Sequence, residues 1–346
     1  MSQFKSITII GGGLAGLTLG IGLRLEGVPV VIWEAGHYPR HRVCGEFISG
    51  KGQDVLRRLG LVEALRAAGA RPASSAAFFT AKSQLSAWPL PEVALCVSRF
   101  VLDDCLARRF RALGGELRTG TRWRGELARQ EGFVRSTGRR VESGEAGRKW
   151  FGLKAHARNV KLTADLEMHF GADAYVGLCR VAEDRVNVCG FFRARRNGAF
   201  PDHSWRERLA GEVGSPLHAR LSAADWLPES FCAVAGISLF GPVAESECSI
   251  GDAFTMTPPV TGNGMSMAFE SADLALAPLV EYAAGRLRWS DVLSRVRGQC
   301  HAAFSTRLRW AKMLELLMFQ RWISPIAGPL AGRSLRIWRL LFARTR

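Results

Sequence analysis

The sequence predicts an α/β protein in two parts: a parallel sheet wrapped by helices, and a mostly antiparallel sheet inserted into it. Three observations predict this. A β-branched run at the start meets a glycine loop and an apolar helix. Near residue 251 a Gly-Asp pair meets a Pro/Gly-rich loop and a second helix. Between them lie short alternating runs separated by turn signals. A chain of 346 residues is too long for one small core. Its 47% hydrophobic and 23% charged residues suit a globular protein rather than a disordered one.

The first element is Ser6-Ile7-Thr8-Ile9-Ile10, followed by Gly11-Gly12-Gly13-Leu14-Ala15-Gly16. An apolar, helix-periodic stretch runs from Leu17 to Leu25 and stops at Gly27. Val28 to Trp33 is a second buried strand, ended by Glu34. Strand, G-x-G-x-x-G, helix, strand and acid in this order form a Rossmann-like dinucleotide site. Gly11 permits the tight turn, Gly13 admits a pyrophosphate close to the backbone, and Gly16 lets the helix pack on the strand. The helix N-terminus favours phosphate, and Glu34 is placed for a ribose diol.

The second element reads Gly251-Asp252-Ala253, then Pro258, Gly262-Asn263-Gly264-Met265, then Ala268, Ser271 and Ala272. A strand leads into Gly251-Asp252, and a helix starts near Gly264. With the fingerprint, this segment resembles the FAD-dependent monooxygenase superfamily, which includes aromatic hydroxylases, geranylgeranyl reductases and flavin-dependent halogenases. The resemblance implies that Asp252 holds the ribityl part of FAD and that Pro258, Gly262 and Gly264 lie along its isoalloxazine ring. It also implies a helix N-terminus aimed at the flavin, where reduced flavin is negative. Ser98 to Leu106 resembles the family's R-x(2)-L-x(3)-L helix, whose arginine, here Arg99, reaches the FAD. The cofactor contacts so implied are Gly11, Gly13, Leu14, Ala15, Gly16, Glu34, Ala35, Arg42, Cys44, Gly45, Arg99, Gly251, Asp252, Pro258, Gly262, Asn263, Gly264 and Met265.

The chain departs from the family in two places. Where an A-D-G-x-x-S segment is usual, Phe133 to Glu142 has no Asp-Gly pair and reads as polar, without a clear buried strand. The halogenase W-x-W-x-I-P motif and a counterpart of the catalytic lysine are missing.

The loop Pro39-Arg40-His41-Arg42-Val43-Cys44-Gly45-Glu46-Phe47-Ile48-Ser49-Gly50 follows the fingerprint. Its Cys44-Gly45 pair resembles the geranylgeranyl reductases and its Gly45-Glu46 pair the halogenases. Arg40 and Arg42 can neutralise the pyrophosphate. Cys44 and Glu46 are the catalytic candidates. The cysteine is either a thiol tuned by the basic residues or a small buried side chain. The glutamate is either a desolvated acid/base or the cap of a helix that begins near Ser49 or Lys51.

The middle of the chain reads as strands. Ala76–Thr80 and Leu85–Trp88 form a hairpin. Phe151–Ala157 and Leu166–Phe170 follow. Ala174–Val181 and Arg185–Phe192 pair across Ala182-Glu183-Asp184. His156, His169 and Tyr175 are the polar candidates on a hydrophobic substrate pocket. The expected organisation is a discontinuous FAD-binding domain (1–72, 98–148 and 236–346) and a substrate-binding sheet (73–97 and 149–235).

The net charge of +16 comes with no nucleic-acid motif, which excludes that partner class. An anionic cofactor, an anionic substrate or a lipid surface uses the same charge. Eight scattered cysteines include no C-x-x-C and no metal spacing, so no metal is expected. They point to a reducing cytoplasm and mostly buried thiols. No signal peptide is read before the first strand, and no stretch suits a membrane span. The tail from His301 is basic and helical in pattern. Its segment Ser334 to Arg344 either packs on the FAD domain or lies peripherally on a membrane.

The resemblance implies two-electron flavin chemistry with NAD(P)H as a transient donor. The leading expectation is a monooxygenase that acts through a flavin C4a-hydroperoxide on a hydrophobic aromatic or polyketide-like substrate. The alternative is a geranylgeranyl-reductase-like enzyme that hydrogenates C=C bonds of an isoprenoid or other lipid.

Overall fold

A computed structural model describes residues 4–126, 130–138, 150–171, 174–193, 204–237, 246–256, 261–319 and 334–346. The chain opens with β1 (Ile7–Ile10), α1 (Leu14–Leu25) and β2 (Val30–Trp33). These strands pair in parallel, Ile7 beside Val30. β6 (Glu116–Arg118) joins β2, while β7 (Phe133–Arg135) joins β1 and β13 (Cys248–Ser249) joins β7, all parallel. The resulting sheet has the order β13-β7-β1-β2-β6.

β7 corrects the sequence reading of a polar segment without a clear buried strand. Three residues suffice for it. Val134 is fully buried, while Phe133 and Arg135 stand half-buried on either side. So short a strand shows one inward side chain, and periodicity cannot reveal it. Ser136 then stands after the strand, its Oγ donating to the carbonyls of Ile10 (3.1 Å) and Gly11 (2.5 Å).

Helices cover this sheet. α1 packs on α4 (Arg99–Ala112) and α7 (Gly264–Ala283), and α8 (Trp289–Phe319) lies on α7. Ile7, Ile9, Leu17, Ile21, Leu102, Phe110, Phe269 and Phe304 anchor one continuous core.

The second sheet has eight strands in the order β12-β8-β11-β10-β9-β4-β5-β3. They are β12 (Asp225–Ile237), β8 (Trp150–Arg158), β11 (Arg185–Arg193), β10 (Ala174–Ala182), β9 (Leu166–Phe170), β4 (Arg71–Thr80), β5 (Gln84–Cys96) and β3 (Phe47–Ile48). All pairs are antiparallel except β4 with β9. The expected hairpins at 76–88 and 174–192 are present.

Residues opposite one another in a sheet share a face. One row therefore runs Cys232, Lys154, Cys189, Gly177, Met168, Phe78. The next runs Val234, Gly152, Phe191, Tyr175, Phe170, Thr80. A third runs His156, Asn187, Cys179, Leu166, Ala76. The opposite face carries Leu153, Ala155, Val186 and Val188. They pack under α5 (Trp205–Ala210) and α6 (Pro216–Leu221) through Leu209, Leu217 and Leu221. This division fixes which side chains can meet a ligand.

The last helix, α9 (Leu335–Thr345), lies over the second sheet. Trp338 meets Phe78 edge-on with centroids 4.9 Å apart, and its Nε1 donates to Pro89 O at 3.3 Å. No helix among the described residues is long and apolar enough to cross a membrane.

Candidate functional site

A cavity of about 2220 Å³ runs from the glycine loop of the first sheet to the ligand face of the second. Fifteen of the eighteen expected cofactor residues line it: Gly11, Gly13, Leu14, Ala15, Glu34, Ala35, Arg42, Cys44, Gly45, Arg99, Gly251, Asp252, Gly262, Gly264 and Met265. Gly16 and Asn263 are buried and do not line it, and Pro258 falls outside the described residues. Glycine is required beneath the loop. Gly11 has φ +108°, and a Cβ there would collide with the Ser136 carbonyl. A Cβ on Gly16 would collide with the Gly11 carbonyl. Gly13 is different, because a Cβ there would meet nothing and would project into open space.

The residues present fit FAD. Gly13 caps α1 with no side-chain hydrogen bond, so the helix end is left for phosphate. Arg42 lines the cavity beside it and makes no hydrogen bond or ion pair among the described residues. Glu34 accepts at Oε1 from Gly36 N (2.8 Å) and Arg40 Nη1 (2.7 Å), and at Oε2 from Gly12 N (2.8 Å). One lone pair of Oε2 is left for a ribose hydroxyl. Burial works to raise the Glu34 pKa, but Arg40 and the two backbone N–H groups overcome it and bring it to about 2. Arg40, expected at the pyrophosphate, thus serves the acid. Tyr38 donates to the Gly12 carbonyl and closes the same corner. At the far end, α7 begins without a side-chain cap, and the Oδ1 of buried Asn263 has no partner.

Arg99 is held away from solvent by Asp103, its Nε to Oδ1 at 2.7 Å and its Nη2 to Oδ2 at 2.9 Å. This bidentate pair keeps the arginine fixed on the cavity wall.

The loop from Pro39 to Gly50 is tied to both sheets. Asn187 Nδ2 donates to Cys44 O (3.0 Å), and Cys179 Sγ lies 3.1 Å from Gly45 O. Val97 N donates to Glu46 O (3.0 Å), and Ser266 Oγ to Ser49 O (2.7 Å). Glu46 is fully buried with φ +58°. Its Oε2 meets His156 Nε2 at 2.7 Å, while its Oε1 accepts from Arg99 N (2.9 Å) and faces Lys154 Nζ at 3.3 Å. Burial opposes its charge, but His156, Lys154 and that N–H hold its carboxyl below the usual range. Glu46 is therefore a fixed anion. It does not cap α2 (Lys51–Arg58), whose N-cap, Gly50, has no side-chain bond.

Lys154 reaches His41 Nδ1 at 3.0 Å. His41, Glu46 and His156 have metal-like spacing, but the ammonium already stands among them in the place of a cation. Burial lowers both histidines, His41 to about 4, so both are neutral near pH 7. The Cys44 thiol is raised by burial, more than Arg99 beside it can lower it. Of the two readings of Cys44, that favours the small buried side chain over the thiol tuned by basic residues.

The polar candidates separate by face. Tyr175 lines the cavity, and His156 belongs to the buried cluster at its edge. His169 lies on the opposite face, bonded to Glu167 (2.9 Å) and stacked on Phe79 at 4.4 Å. The remaining ligand face is aromatic: Phe78, Phe170, Tyr175 and Phe191, roofed by Trp338, Leu341 and Phe342. Sequence reasoning missed Lys154, Asn187, Cys179 and Arg346. The register of β8 with β11 and β12, which puts Lys154 between two cavity cysteines, is the signal that finds the first.

Comparison with known proteins agrees with this geometry. Residues 5–148 match the FAD binding domain family. A 71-residue stretch, 20% of the chain, is 42% identical to 1H-pyrrole-2-carbonyl-(peptidyl-carrier protein) brominase of Pseudoalteromonas luteoviolacea and covers 17% of it. A second curated relative, conditioned medium factor receptor 1 of Dictyostelium discoideum, is 26% identical over 144 residues, 38% of this chain and 27% of the receptor. The chain thus matches under a third of either relative's length. The structure of flavin-dependent brominase Bmp2 superposes with TM-score 0.76, at 18% identity, over 99% of this chain and 93% of that one. Pseudomonas aeruginosa PqsL, solved with 2-aminobenzoylacetate, superposes with TM-score 0.73, at 15% identity, over 95% of this chain and 100% of that one. Residues 5–148 thus form an FAD binding domain, and the chain as a whole has the fold of these flavoproteins.

Proposed function

We propose that the protein is an NAD(P)H-dependent flavin monooxygenase acting on a hydrophobic aromatic substrate. One oxygen atom of O2 enters the substrate and the other leaves as water, with two electrons from NAD(P)H. The observation that carries this reading is the single cavity joining the dinucleotide loop to an aromatic wall. Its volume, about 2220 Å³, is more than twice that of a large ligand pocket, so a dinucleotide leaves space for a second molecule. The aromatic ligand of PqsL supports the same substrate class.

Bound FAD supplies two-electron transfer and, once reduced, oxygen activation. The protein's residues place and shield it. Gly13 and the end of α1 would receive its phosphate, Glu34 a ribose hydroxyl and Asp252 the ribityl chain. Phe78, Phe170, Tyr175 and Phe191 hold an aromatic body, and α9 keeps water from it. Glu46, fixed as an anion, holds the loop that carries Cys44 rather than exchanging a proton itself.

The test is isotopic. FAD-loaded protein is photoreduced without air and mixed with 18O2 and a panel of phenols and aryl ketones. One 18O per product molecule supports the reading, and NADH and NADPH are then compared as donors. Reoxidation without labelled product, together with anaerobic saturation of prenyl lipids, would replace it with C=C reduction.

The reading extends to peripheral contact with an anionic membrane from a reducing cytoplasm. Arg336, Arg339 and Arg344 are exposed on α9, with Ile337 and Leu340 39% and 48% exposed between them. Flotation with anionic vesicles tests this, and absence from the lipid fraction at low salt rejects it.

A further inference from the structure

Four arginines set into the fold have carboxylate partners. Arg99 pairs with Asp103, Arg135 with Glu247, Arg220 with Glu167 and Arg307 with Glu270. Arg346 does not. It follows α9, whose Thr345 O accepts from Asn263 Nδ2 at 2.7 Å, and its Cβ lies 3.9 Å from where a Cβ on Gly50 would stand. The guanidinium carbon stands 5.3 Å from the Phe47 ring centroid and 5.0 Å from that of Phe342. Nε and Nη1 are shut off from solvent and have no hydrogen-bond partner. Burial, with Arg307 nearby, lowers the Arg346 pKa to about 10, so it stays charged at neutral pH.

Guanidinium N–H groups shut off from water without an acceptor are costly, and the cost falls when an anion arrives to accept from them. Two aromatic faces reduce the charge's exposure but give it no acceptor. Arg346 lines the same cavity as the aromatic wall, so an anion that reaches it has its remaining body in that cavity.

We propose that Arg346 is the anion seat of the substrate cavity and receives a carboxylate carried on an aromatic body. The assignment rests on the reading of the cavity as a flavin and substrate site, and it narrows the substrate to an aromatic acid. The flavin's own pyrimidine edge, negative when reduced, is a second source of the same oxyanion chemistry, and the experiment separates the two.

Benzoate and its neutral analogue benzamide are titrated into the full chain and followed by tryptophan fluorescence, with Trp338 close to the seat. The same titration is run with oxidised FAD bound and without FAD, for the wild type, R346K and R346M. Benzoate is expected to bind the wild type at least tenfold more tightly than benzamide. R346M should remove that preference, R346K should restore part of it, and benzamide affinity should stay within about twofold. Equal binding of the two probes, or an unchanged preference in R346M, overturns the seat. An R346M variant that keeps the benzoate preference but shifts the flavin midpoint potential assigns the arginine to the cofactor and overturns the substrate assignment. Failure of the protein to load FAD overturns the earlier reading, while the flavin-free titration still tests this one. If R346M does not fold, the comparison rests on R346K and R346Q.

Discussion

Lys154 and Glu46 meet between the two sheets with no solvent exposure on either side chain, Nζ 3.3 Å from Oε1. One comes from the middle of β8, the other from the loop after the dinucleotide fingerprint. Removing one partner leaves the other as an uncompensated buried charge. Glu46→Ala is expected to destabilise the protein by about 3–5 kcal/mol, and the double variant E46A/K154M to recover much of that loss. Urea unfolding of the four proteins in the cycle measures it. A double variant no more stable than E46A would show that the pair is not the source.

Glycine substitutions in the fingerprint should separate folding from binding. G16A places a methyl group against the Gly11 carbonyl and should lower the melting temperature. G13A meets no protein atom, so it should fold as the wild type but bind FAD at least tenfold more weakly, about 1.4 kcal/mol. Equal FAD affinity in G13A would mean that the cofactor does not approach this turn.

The acid side of the stability profile should fall in two windows. His41 is held down to about 4, first by burial and then by Lys154 and His156, against about 6.5 in an unfolded chain. The unfolded state therefore takes the proton first. The stability due to neutral His41 is complete above about pH 6.5 and is lost as pH falls toward 4. His156, lowered in the same direction, adds to that window. Glu34, at about 2, keeps its contribution until below the ordinary carboxylate pKa of about 4.3. Urea midpoints from pH 7.5 to 4.5 should decline, and less steeply in H41Q. An identical slope in H41Q rejects the assignment.

The raised Cys44 thiol predicts slow chemistry. At pH 7.5 it should alkylate more slowly than a free cysteine, because the thiolate is the reactive form. C44A should keep bound FAD and its rate of reduction within about twofold. A large loss of turnover with FAD retained would return Cys44 to the chemistry.

The first sheet was legible because glycine positions in a dinucleotide site are set by backbone contacts that no other residue tolerates, as Gly11 and Gly16 show. The hairpins of the second sheet were legible from alternation. β7 was not, since one buried side chain, Val134, carries no period. The Glu46 cluster was equally hidden. Glu46 and His156 lie 110 residues apart, and only strand register brings His156 to the ligand face while turning His169 away. Single residues such as Arg346 have no local pattern at all, and their meaning comes from what surrounds them after folding.

The strap from Pro39 to Gly50 begins beside the acid of the ribose corner and ends under the last turn of α9, bonded to the second sheet on the way. Anything that loosens one end is felt at the other, and by linkage the influence must run equally in both directions. Loading the nucleotide should tighten the grip on the second ligand, and that ligand should raise the affinity for the nucleotide by the same factor. The two sites then behave as one thermodynamic unit, and an empty dinucleotide loop goes with a poorly formed wall for the second ligand.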